Sequence, residues 1–169
     1  MAFAGAPIVP TDGTLVISDG AGSPLSVTVQ YEDGNFSFTG MNQGVMDTTV
    51  FYDRGRPYAI RKEKNRPIPF SFTAHALSMV GDPGSACFKK GTWASATSTL
   101  PTANGGSEVF CVKLVYTAER TDFGASTDST ATFLICRITD VDFAEGMPST
   151  FTIKGEAYVF SDSDIVLAA

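Results

Sequence analysis

The chain has 169 residues, 43% hydrophobic and 18% charged, with a net charge of −6. That length and apolar share suit one domain with a core of its own, and the negative balance argues against general nucleic-acid binding by the surface. The 16 glycines, 9 prolines and 13 phenylalanines favour strands and turns over helices.

Met1 to Pro10 is apolar and uncharged, with no helix or strand period. It has no basic opening region and is broken by prolines, unlike a secretion signal. Two readings stand for residues 1–12: a frayed terminus, or an arm whose Phe3 and Ile8 dock on a neighbouring subunit. Gly13 to Ser18 reads as a first strand with Leu15 and Ile17 inward. Asp19 to Pro24 is a turn. Leu25, Val27, Val29 and Tyr31 alternate with polar residues as a second strand. Asp33-Gly34 marks a tight hairpin, and Asn35 to Thr39 returns with Phe36 and Phe38 inward.

Residues 40–66 form an extended loop or hairpin. Val45 to Tyr52 is strand-like, and then the charge changes sign. Asp53 to Arg66 holds six basic residues, Arg54, Arg56, Arg61, Lys62, Lys64 and Arg66, against two acidic ones. The segment is net +4, so the rest of the chain is −10. A solvated hairpin tip is one reading. A phosphate site is disfavoured, because no glycine-rich loop enters a helix and aromatic interleaving is sparse. The third reading is a basic element that meets the acidic surface of an identical neighbour and sets a head-to-tail register.

Ile68, Phe70, Phe72, Ala74, Ala76 and Val80 recur at every second position, which predicts a long strand with one buried face. Asp82-Pro83 then signals a helix start, and Lys89, Lys90 and Gly91 its end, for about two turns. Gly91 to Ser107 reads as a loop in which Trp93 anchors on the core. Val109 to Ala118 is apolar on both faces apart from Lys113, as a central strand or one covered by neighbours would be. Thr130 to Thr139 is a further strand. Phe151, Ile153, Ala157 and Val159 line the last one, where Gly155 implies a bulge or a close backbone approach. Residues 161–169 read as a tail. No repeat or linker divides the chain, and no apolar run is long enough to span a bilayer.

Catalytic and metal chemistry find little support. Cys87, Cys111 and Cys136 have no metal-knuckle spacing and read as small buried apolar residues of a reducing compartment. His75 is the one histidine, on the less apolar face of its strand, and no nucleophile-elbow motif accompanies it. Asp140, Asp142 and Glu145 could serve glycoside hydrolysis or calcium binding. Without a glycine-punctuated loop they read as a charge cluster at a strand end. The residues therefore predict a protein that is not an enzyme, with no cofactor and no metal.

The run Gly13-Thr14-Leu15-Val16-Ile17-Ser18-Asp19-Gly20, followed by Leu25 to Gly34, resembles the start of the tail tube proteins of long-tailed bacteriophages. The order that follows is also similar: Asp53-Arg54-Gly55, a charged hairpin, Pro69 to Ala74, Glu108-Val109-Phe110, then Asp142 to Gly146 with Pro148. The likeness spans Gly13 to Phe160 and departs at Ser85 to Trp93, where the helix is short and ends in glycine. It implies a mainly β fold, a β-sandwich or half-barrel of antiparallel strands with one short flanking α-helix, an extended arm and a hairpin loop. It implies a structural virion protein, assembled in the host cytoplasm, whose homo-hexameric rings stack into a hollow tube. DNA would pass through the lumen without specific binding. Tape measure and tail tip or terminator proteins would be its partners. The alternative is an immunoglobulin-like decoration or adhesion domain, and a third is a β-barrel around a small ligand.

Overall fold

A computed structural model describes residues 13–18, 26–29, 36–39, 46–76, 87, 111–118, 127–159 and 164–168. Ten strands follow one another: β1 (Gly13–Ser18), β2 (Ser26–Val29), β3 (Ser37–Phe38), β4 (Met46–Asp53), β5 (Arg56–Asn65), β6 (Ile68–His75), β7 (Cys111–Ala118), β8 (Ser129–Ala144), β9 (Thr150–Ala157) and β10 (Ile165–Ala168). Eight of them make one antiparallel sheet in the order β2-β1-β7-β8-β9-β6-β3, with β10 added on β8. Among the described residues the other two, β4 and β5, pair only with each other. The fold is mainly β and antiparallel, as the alternation of apolar residues requires.

The 16-residue β8 organises the sheet. One edge of it carries β7, from Arg137 opposite Cys111 to Ser129 opposite Ala118. The other edge is divided: β10 takes Thr130 to Phe133, and β9 takes Cys136 to Ala144. Two register irregularities, at Val112/Leu114 against β7 and at Ile138/Asp140 against β9, bend the long strand.

The sheet curls until its end strand faces its middle. The Phe38 ring on β3 lies 5.3 Å from Phe133 on β8, and Phe36, just before β3, lies 5.5 Å from Tyr116 on β7. Leu15, Ile17, Ile68, Phe72, Leu114 and Ile153 are fully buried in the space so enclosed. Burying a side chain of this size is worth about 1.5–3 kcal/mol, so this shared apolar face carries the fold. Phe70, Phe72 and Ala74 of β6 are inward, in register with Gly155, Ile153 and Phe151 of β9.

Several expectations meet the structure directly. β1 has the bounds the sequence implies, and Leu15 and Ile17 are its inward residues. β7 is central, between β1 and β8. Phe36 and Phe38 pack against the core. Cys87, Cys111 and Cys136 are buried and form no disulfide.

Others change. The strand read over Thr130 to Thr139 runs on to Ala144, so Asp140 and Asp142 lie within β8 rather than at its end. Residues 161–169, read as a tail, contain β10, because β8 beyond the reach of β9 leaves backbone groups for Ile165 to Ala168 to pair. The helix expected near Asp82 to Gly91 lies outside the described residues except at Cys87, which is buried in the core cluster. Residues 1–12 and Trp93 also lie outside them.

Candidate functional site

The β4–β5 hairpin stands apart from the main sheet, and it carries the basic segment. Its tip is the two-residue turn Arg54-Gly55, with φ of 47° and 80°. Two successive positive φ values match a type I′ turn, whose twist suits two tightly joined strands. Glycine takes this conformation freely, whereas arginine is strained in it. Below the tip, Asp53 faces Arg56, Phe51 faces Ala59, Val50 faces Ile60 and Thr49 faces Arg61, with an irregularity between Phe51 and Tyr52. The Thr49 hydroxyl donates to the Glu63 carboxylate across the strands.

Four large apolar side chains of this hairpin meet solvent: Tyr58 is 80% exposed, Ile60 69%, Tyr52 66% and Phe51 48%. A two-stranded hairpin in water is marginal by itself. Arg54, Arg56, Arg61, Lys62 and Arg66 are exposed beside it. Lys64 belongs to β5, but its side chain lies outside what is described. Phe3 and Ile8 fall outside the described residues. The structure therefore brings together the basic residues singled out in the sequence and adds aromatic ones. Phe51 and Tyr52 precede Arg54 on the hairpin, and Tyr58 follows Arg56.

The second charged group lies on β8 and β9. Lys154 Nζ donates to Asp142 Oδ2 at 3.0 Å and to Asp140 Oδ2 at 3.3 Å. Those hydrogen bonds, Asp142 first, hold the ammonium protonated to higher pH than usual. All three side chains are about half exposed, and pairs of this kind in water contribute little to stability. Glu145 follows the strand and is exposed. Among the described residues no cluster of three or more His, Cys, Asp or Glu is placed to hold a metal ion. His75 is half-buried opposite Thr150.

No family model matches the sequence, and no curated protein matches it. Solved structures do. A chain from the sheath–tube complex of an extracellular contractile injection system, PVC, in its extended state superposes with a TM-score of 0.58 at 8% identity, over 98% of this chain and 94% of that one. A chain from the PVC sheath/tube terminator in the extended state gives 0.57 at 9% identity, over 98% and 99%. A chain from the tube-terminating cap of the anti-feeding prophage gives 0.55 at 9% identity, over 100% and 99%. The likeness spans both partners from end to end, and it is one of fold: this chain shares its architecture with chains of phage-tail-like injection particles.

Proposed function

We propose that this chain is a structural subunit of a phage-type tail, and that it is the repeating subunit of the tail tube. Six copies form a ring, and rings stack into a conduit through which DNA is delivered. The observation that carries this reading is the β4–β5 hairpin, which presents Tyr52, Tyr58 and Ile60 to solvent among Arg54, Arg56, Arg61 and Lys62. Such an arm gains stability by inserting into a second copy, and the +4 of Asp53 to Arg66 is complementary to the −10 of the rest of the chain. Homotypic contact of a projecting arm with a different surface is head-to-tail, which builds rings or filaments.

The acidic balance suits a conduit as well. Duplex DNA carries about one charge per 1.7 Å of axis, so a basic wall would hold it, whereas an acidic one lets it slide. In this reading the protein resides in the virion, meets a tape measure protein inside the tube and terminator or tip proteins at its ends, and performs no catalysis.

A second reading is a ring that ends the tube. It is favoured by the likeness to chains from terminator and cap assemblies. Electron microscopy of the purified protein over a concentration series, with sedimentation velocity on the same samples, separates the two. Hollow tubes are expected of the repeating subunit, and closed rings that never stack of the terminator. A monomer at every concentration, which also fails to join preformed tail tubes, would overturn both. Glutamate at Arg54, Arg56, Arg61 and Lys62 together should shorten or abolish tubes and leave the monomer folded.

A further inference from the structure

The main sheet has two ends, and the chain places opposite chemistry at them. β6 enters the sheet at Ile68, opposite Ala157 of β9, and leaves it at His75, opposite Thr150. The basic hairpin is joined to the first end, since β5 stops at Asn65 and β6 starts at Ile68. The link is Arg66-Pro67. A residue before proline is biased to extended backbone, which opposes a fold back at the base of the arm. The other end is closed by the turn between β8 and β9, which follows Ala144 and returns at Thr150. The eight residues of β6 set the two ends about 24 Å apart.

The β8–β9 turn carries the counterpart of the arm. Asp140 to Lys154 holds three carboxylates, Asp140, Asp142 and Glu145, and the single ammonium of Lys154, so the stretch is net −2. Lys154 bonds Oδ2 of each aspartate, and each has a second oxygen that can accept from a guanidinium. Apolar surface accompanies the charge. Met147 in the turn is fully exposed, and Phe143, whose ring lies 5.2 Å from that of Phe151, is about half exposed. On the arm, alternation puts Tyr58 and Ile60 on one face of β5 and Arg61 on the other. Each surface thus pairs an apolar patch with one sign of charge, and the signs are opposite.

We propose that the β4–β5 arm of one copy docks on the β8–β9 turn of the next, an inference that rests on the reading of this chain as a repeating tail subunit. Tyr58 and Ile60 cover Met147 and Phe143, and the arm's arginines meet Asp142 and Glu145. Because arm and turn belong to opposite ends of one sheet, each contact leaves an arm at one extremity of the pair and a turn at the other. The contact is therefore heterologous and adds copies along the strand direction. The ten residues of β5 extend about 34 Å, enough to overlap a copy set end to end. The same length would also reach the chain's own turn, an outcome the test separates.

The test uses the full-length protein with Tyr58→Cys and Met147→Cys, both exposed positions, at concentrations where the parent assembles. Oxidation with copper phenanthroline should give a ladder of linked chains, with the bond between positions 58 and 147 identified by peptide mass. A mixture of the two single variants should link unlike chains only, and each single variant alone controls for the three buried native thiols. A bond within one chain in place of the ladder overturns the proposal. Assemblies without the bond overturn it too and leave the subunit reading standing, whereas no assembly at any concentration counts against both. A second set keeps the exposed apolar residues and changes charge. Arg56→Glu with Arg61→Glu, or Asp142→Lys with Glu145→Lys, should each raise the concentration needed for assembly about tenfold, and the four changes in one chain should return it to within about threefold. Circular dichroism of the monomers checks that each remains folded. A fourfold variant that assembles no better than either parent pair overturns the proposal.

Discussion

Phe70 of β6 lies directly opposite Gly155 of β9, and its ring fills the space a side chain would take there. A Cβ at Gly155 would stand 2.5 Å from Phe70 Cζ and 2.4 Å from the Arg137 carbonyl oxygen on β8. The glycine also pairs with Ile138, at the point where the register of β8 against β9 shifts. An aromatic ring laid over a cross-strand glycine restores the packing that the missing side chain gives up.

Gly155→Ala is therefore expected to cost about 1–3 kcal/mol, the range for overpacking a filled site. Phe70→Leu should relieve the ring contact but not the clash with backbone, so the double variant should be more stable than the sum of the two losses by about 1 kcal/mol. Urea unfolding of the four proteins checks this, and strict additivity would contradict it.

Much of this packing is legible in the sequence. The alternation of Leu15 with Ile17 and of Phe70 with Phe72 marks buried faces, because side chains on a strand alternate between its two sides. Gly155 in the middle of an apolar run marks a close approach for the same reason. What local pattern does not contain is the division of an edge. β10 exists because β9 leaves part of β8 unpaired, and nothing within Ile165 to Ala168 announces this. The exposed aromatic residues were hidden likewise. Tyr52, Tyr58 and Ile60 have the composition of a strand with a core to cover, and only the topology shows that, among the described strands, β4 and β5 pair with no other.

Arg54 holds a conformation that asparagine or glycine tolerates better. Arg54→Asn should stabilise the hairpin by about 0.5 kcal/mol while removing one positive charge from its tip. Amide exchange in β4 and β5 of the monomer should slow about twofold, since 0.5 kcal/mol corresponds to roughly that factor. Assembly of the same variant should weaken. Faster exchange, or assembly as strong as the parent's, would contradict a tip residue kept for its charge rather than for its turn.

Tyr58→Ser with Ile60→Ser removes exposed apolar surface and no core contact. The unfolding free energy of the monomer should change by about 0.5 kcal/mol or less, as for surface sites generally. Its self-association measured by sedimentation should fall at least tenfold. A large loss of stability would mean that these side chains pack within the copy.

Alkaline pH should destabilise the fold. Burial pushes the thiols of Cys111 and Cys136 above the usual 9.0, Cys136 most strongly. Burial likewise raises the hydroxyl of Tyr116, and burial with a hydrogen bond to Glu156 raises that of Tyr158. Each of these groups keeps its proton longer in the folded chain than in the unfolded one. Their stabilisation is thus complete below pH 9 and is lost as pH rises through the folded values. Urea midpoints under reducing conditions should be level from pH 7 to about 8.5 and fall steadily to pH 11. Cys136→Ala should flatten that fall. A midpoint constant across the whole range would contradict the assignment.

The position of β8 in the sheet also governs when this chain becomes a protein at all. Ile17 of β1 has Leu114 of β7 across from it, and Phe72 of β6 has Ile153 of β9. As the polypeptide leaves the ribosome, the first strands wait for partners encoded in the final third, and meanwhile only the pairings β1 with β2, β3 with β6 and β4 with β5 can close. Loop closure over such separations is slow, so the subunit matures after synthesis ends. The basic arm is complete before the body it would engage, which gives the cell a period in which premature capture between nascent chains must be held off.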